Sequence, residues 1–77
     1  MLKVTVRTRS DLLLEQEVQT VRLPATSGEF EVMAYHMPFV TSLRAGRLWL
    51  DGRVLVIRGG AAWMGLTRLV VLAEVAG

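Results

Sequence analysis

The chain has no cysteine and only one histidine in 77 residues. Disulfide bridges are therefore excluded, and so is a zinc cage built from this protein alone. Proline is equally scarce, with Pro24 and Pro38 the only two, and five residues in all are Trp, Tyr or Phe apart from the histidine: Trp49, Trp63, Tyr35, Phe30 and Phe39. Long apolar runs are missing as well. The longest, Leu69 to Ala73, is far below the roughly 20 residues of a membrane span. At the amino end, Lys3, Arg7, Arg9 and Asp11 interrupt any apolar stretch, so no signal peptide is expected. The absence of cysteine fits the cytoplasm.

What is present is a small and apolar chain. Its length suits one domain, residues 1–77, and a chain this short buries only about 60–65% of its unfolded surface. The hydrophobic fraction of 52% lies at or above the usual range. Two readings of that fraction stand: a well-packed core with scattered exposure, or an apolar surface kept for a partner. The formal net charge is +2, with eight arginines and one lysine spread along the chain and not in blocks. Such spacing shows no nucleic-acid footprint.

The order of residues reads as strands. Leu2, Val4 and Val6 alternate with Lys3, Thr5 and Arg7, the pattern of a half-buried strand. Ser10-Asp11 marks a turn, and residues 12–15 and 17–23 read as two further strands. Pro24 cannot donate to a ladder, so the strand is expected to end or reach an edge there. Residues 25–28 form a turn with Gly28 at positive φ. Phe30 and Val32 then share one face, and Glu29 and Glu31 the other. Residues 34–38 are irregular, and 39–43 form a short strand closed by Arg44-Ala45-Gly46. Asp51-Gly52 between two β-rich runs predicts a two-residue hairpin turn with positive φ at both positions. Gly59-Gly60 marks another turn or a close approach of backbones. No segment holds a helical period for three turns. The expected fold is all-β, a small sandwich or barrel of eight to ten short strands.

Candidate chemistry is thin. Glu29 and Glu31 are the closest carboxylate pair with an aromatic between them, about 6.5–7 Å apart along one strand. Side by side on one strand, they cannot flank a glycosidic bond from two faces, which leaves a solvated face or a charged contact surface. His36 has no neighbouring acid and nucleophile in the sequence to make it a general base. It reads as a hydrogen-bonded loop histidine or a partner contact. Gly59, Gly60 and Gly65 match no phosphate-binding spacing, so no cofactor site is expected. Trp49 and Trp63, with Tyr35, Phe30 and Phe39, suit core or interface packing; the alternative is a stacking platform in an oligonucleotide-binding β-barrel.

The stretch Leu23–Gly46 holds both prolines, the histidine, the tyrosine and both phenylalanines, and its motifs have a counterpart. Leu23-Pro24, Gly28-Glu29-Phe30, His36-Met37-Pro38 and Leu43-Arg44-Ala45-Gly46 resemble the signature of the epsilon subunit of F-type ATP synthases. Gly59-Gly60 and the closing run Val70–Ala76 continue the resemblance in order and spacing, as do Leu2–Val6 and Glu17–Leu23. There are departures. Glu31 stands where the family has glycine, Ala34 and Tyr35 replace its Pro-Gly, Arg58 replaces a serine, and Ala61 and Ala62 replace bulkier residues. These departures suggest a divergent lineage among the alternative ion-pumping relatives.

The resemblance implies an all-β sandwich of about ten short strands without the family's C-terminal helical pair, which would begin near Gly77. It implies a non-catalytic central-stalk module that docks on the gamma subunit and rests on the c-ring, peripheral to the cytoplasmic face of a bacterial inner membrane. Neither nucleic acid nor direct membrane insertion is implied. By the same resemblance Gly28, Glu29, Tyr35 and His36 face the c-ring loops.

Overall fold

The computed structural model describes residues 1–75, and Ala76 and Gly77, at the end of the closing run, lie outside the described residues. Seven strands follow one another: β1 (Leu2–Arg7), β2 (Leu12–Val18), β3 (Thr20–Ala25), β4 (Gly28–Met33), β5 (Phe39–Leu50), β6 (Arg53–Met64) and β7 (Arg68–Glu74). They form a single sheet in the order β2-β1-β7-β6-β5-β3-β4. Every neighbouring pair is antiparallel except β1 with β7.

The sheet makes a sandwich by folding over itself, and the burial pattern of its two longest strands shows where. Pairing of β5 with β6 runs without a slip from Phe39↔Met64 to Leu50↔Arg53. Yet the buried side of β5 is odd-numbered at Leu43 and even-numbered at Leu48 and Leu50. On β6 it changes between Ile57 and Ala62. A strand that changes its buried face without losing register has turned a corner, with its two halves in different layers. One layer then holds β2, β1, β7 and the adjoining halves of β6 and β5. The other holds the remaining halves with β3 and β4.

Glycines make the corner possible. Gly59 and Gly60 take φ of 152° and 145°, and a Cβ on Gly60 would lie 2.0 Å from the Leu72 carbonyl oxygen. Opposite, a Cβ on Gly46 would press on the Pro24 ring at 3.0 Å. The expectation of an all-β sandwich of short strands thus holds: the corner divides β5 and β6, so the seven continuous strands of the described residues give nine short segments. Gly46 does not end its strand, and the Gly59-Gly60 pair marks a close approach within a strand instead of a turn.

Other boundaries moved for local reasons. β2 runs to Val18 and breaks at Gln19, where the Gln19 and Thr20 amides donate to the Asp51 carboxylate at 3.1–3.2 Å. Pro24 neither ends β3 nor lies at an edge. It pairs with Glu29 of β4 and falls where the β3–β5 register shifts, an irregularity that tolerates its missing N–H. The Asp51-Gly52 turn joins Leu50 to Arg53 as expected, but Asp51 alone has left-handed φ, 53°.

All seven strands contribute to one core, including Leu2, Val18, Leu23, Val32, Leu48, Ile57 and Leu69. Each such aliphatic side chain contributes roughly 1.5–3 kcal/mol on burial. No polar or charged side chain is buried among the described residues.

Candidate functional site

The segment that departs from regular structure links β4 to β5. Its course is set by Tyr35, which takes φ of 67°, a conformation uncommon for a residue with a bulky side chain. The Tyr35 amide donates to the Leu66 carbonyl in the β6–β7 turn, and the His36 amide donates to Met33 at 3.2 Å. His36 Nδ1 donates to the Met37 carbonyl at 2.8 Å. Its ring meets Phe39 edge to face at 5.5 Å, and Phe39 meets Phe30 of β4 at 5.3 Å in the same manner. Such pairs contribute about 0.5–1.5 kcal/mol beyond their buried area.

The loop is therefore braced from three sides, yet its side chains point outward. Tyr35 is 75% and Met37 78% exposed. The loop thus combines a tied backbone with exposed apolar side chains, the feature that makes it the candidate site.

Gly28 and Glu29 lie at the opposite end of β4, about 17 Å along the strand from the loop. Gly28 has φ of 134° and pairs with Ala25 across the two-residue turn Thr26-Ser27. That turn is tied to β5 by Thr26 N donating to the Ser42 carbonyl at 3.0 Å and by a 2.9 Å contact between the two hydroxyls. Glu29 and Glu31 share the outer face of β4, as expected, and both reach Arg22 of β3, at 3.9 and 3.8 Å. All three are about half exposed, which makes this a weak surface network. The structure brings Tyr35 and His36 together and keeps Gly28 and Glu29 apart from them, connected through Phe30, Phe39 and His36.

Surface features that sequence reasoning missed arise from long-range pairing. Val40, 80% exposed, stands directly opposite Trp63, which stands opposite Val70. The row lies on the outer face of the first layer. Trp49 lies on the outer face of the second, so the two tryptophans do not form the shared stacking platform of the oligonucleotide-binding alternative. No local signal in the sequence could have separated them, because their faces are decided by the corner at Gly46, Gly59 and Gly60.

Among the described residues no group of His, Asp and Glu is arranged to hold a metal, and no helix is long and apolar enough to cross a membrane. A hollow of about 140 Å³ between Thr20, Arg22, Glu31, Trp49 and Asp51 and another of about 230 Å³ beside Arg9 and Glu74 are smaller than the roughly 300–1,000 Å³ of small-molecule sites.

A folded-over β-sheet that presents a braced, outward-facing loop makes the chain an all-β sandwich domain. Comparison with known proteins gives the family. The model of the ATP synthase delta/epsilon chain β-sandwich domain matches residues 1–77, and the chain belongs to that family. It is 43% identical over 66 residues to the ATP synthase epsilon chain of Caulobacter vibrioides, covering 80% of this chain and 77% of that one. To the epsilon chain of Maridesulfovibrio salexigens it is 40% identical over 68 residues, covering 83% of this chain and 48% of the relative. The chain thus spans about half the length of several curated relatives it matches. Among solved structures, a chain of the Euglena gracilis mitochondrial ATP synthase OSCP/F1/c-ring assembly superimposes with a TM-score of 0.83 at 25% identity, over 94% of this chain and 49% of that one. A chain of the Tetrahymena thermophila mitochondrial ATP synthase central stalk and c-ring gives 0.77 at 12% identity, over 95% and 63%, a likeness of fold alone.

Proposed function

We propose that the chain serves as the β-sandwich module of a rotary ATP synthase central stalk, docking on the gamma subunit and resting on the c-ring. Its role there is non-catalytic: it couples ion flow to ATP synthesis by holding position in the rotor. The module sits peripherally at the cytoplasmic face of a bacterial inner membrane, as a part of the complex. The observation that carries this reading is the braced 34–38 loop, which holds Tyr35 and Met37 out to solvent while its backbone is tied to Leu66 and Met33. Support comes also from the bacterial epsilon chains it resembles.

In this reading Tyr35 and His36 make the c-ring contact directly. Gly28 shapes the turn at the far end of β4, and Glu29 beside it, near Arg22, offers negative charge to a basic or polar loop. The apolar row of Val40 and Trp63 adjoins this region and suits an apolar surface of gamma. A folded sheet with a continuous ladder through its corner is stiff, which suits a part that must transmit torque.

The test is co-expression with an F-type gamma subunit and affinity capture. The expected result is a stable complex at moderate salt, because the contact is largely apolar. No complex at micromolar concentration would contradict the reading.

A further inference from the structure

The outer face of the second layer carries a surface that the stalk reading does not use. On β6, Val54, Val56 and Arg58 are alternate residues that point the same way. Across the ladder, Trp49 pairs with Val54 and Arg47 with Val56. The result is a patch in which two exposed valines and a tryptophan lie together, with a guanidinium on either side of Val56. Val56 is 68% exposed, and Trp49 38%. Arg47 and Arg58 stand on diagonal positions about 7–8 Å apart, within joint reach of one ligand group.

Charge distinguishes these arginines from their neighbour. Arg22, on the same face, is held by both Glu29 and Glu31. Arg47 and Arg58 make no ion pair among the described residues. A pair of unneutralised arginines beside exposed aliphatic surface calls for carboxylates joined to apolar side chains. Guanidinium favours carboxylate through paired, planar hydrogen bonds.

We propose that the Trp49–Val56 face, with Arg47 and Arg58, binds an acidic, aliphatic protein segment laid along β5 and β6. Glu29 and Glu31 bound the patch on the β4 side and repel a carboxylate there, which directs the acidic residues of the segment toward the corner. The same glutamates disfavour a broad polyanion such as nucleic acid or an anionic membrane on this face. The inference does not depend on the stalk reading, since it rests on Arg47, Trp49, Val54, Val56 and Arg58, none of which that reading uses, and needs only the chain itself.

The experiment uses the full chain and a short fluorescein-labelled peptide of alternating glutamate and leucine, followed by fluorescence anisotropy. The expected result is saturable binding that weakens with added salt. Arg47→Gln together with Arg58→Gln should weaken it about ten-fold, as expected for two partly exposed charge contacts. Val56→Asp, at an exposed position, should weaken it at least as much by repulsion. Both variants should keep the native thermal transition, and Arg58→Gln alone serves if the double variant folds poorly. Unchanged affinity in these variants would overturn the proposal. So would tighter binding to phosphatidylglycerol vesicles than to the peptide, or a self-associated dimer abolished by Arg58→Gln, because each would assign the face to a different occupant.

Discussion

Gly60 has no room for a methyl group. A Cβ there would lie 2.0 Å from the Leu72 carbonyl oxygen, and φ of 145° adds backbone strain for any L residue. Neither backbone can yield without parting β6 from β7. Gly60→Ala is expected to cost more than about 3 kcal/mol, lowering Tm by more than about 12 °C or preventing folding, as read by thermal melting. Asp51 is a milder case. Its carboxylate accepts from the Gln19 and Thr20 amides and joins the β2–β3 break to the β5–β6 turn. The site is exposed, so Asp51→Ala should cost about 1 kcal/mol, or roughly 4–8 °C in Tm. At Tyr35 the two readouts should part. Its left-handed φ of 67° suits glycine, so Tyr35→Gly is expected to leave Tm unchanged or slightly raised while weakening stalk assembly. A matched loss of stability and assembly would mean that Tyr35 serves folding and not contact.

At the scale of elements, the surface charges of β3 and β4 are expected to matter little to stability. Removing Arg22 frees Glu29 and Glu31 on an exposed face, so Arg22→Ala should cost less than about 1 kcal/mol in urea unfolding. The elements themselves were partly legible. Alternation identified β1 and β4 and placed Phe30 and Val32 on one side, because period-2 burial is a local property. The Asp-Gly hairpin was legible for the same reason. Gly46 misled, and Gly59-Gly60 was open between a turn and a close approach of backbones, because glycine is needed equally for a turn and for a strand that folds over a corner, and only the ladder distinguishes the two. Pro24 misled because its interior place depends on a register shift against β5, a partner more than fifteen residues away in sequence. The 34–38 loop was legible as an irregularity. Its bracing by Leu66 was not, since that contact is tertiary, and the stacking of His36 on Phe39, though local, depends on a loop conformation the sequence pattern does not show. The separation of Gly28 and Glu29 from His36 followed from reading 29–32 as an extended strand.

At the scale of the molecule, the sheet presents two outer faces and one braced loop, and these suit different tasks. In the proposed reading the Val40–Trp63 row and the loop serve the stalk, and the Arg47–Arg58 face takes the proposed acidic segment. A stalk contact dominated by apolar side chains should hold through moderate salt, whereas the peptide contact should not. The central claim is that the 34–38 loop meets the c-ring. Because the chain has no cysteine, single cysteines can be placed at will. The most direct measurement is crosslinking in the assembled complex from Tyr35→Cys, with Ser10→Cys in the β1–β2 turn as the comparison. A crosslink to the c subunit is expected from position 35 and none from position 10. A c-subunit crosslink from position 10 alone would contradict the claim.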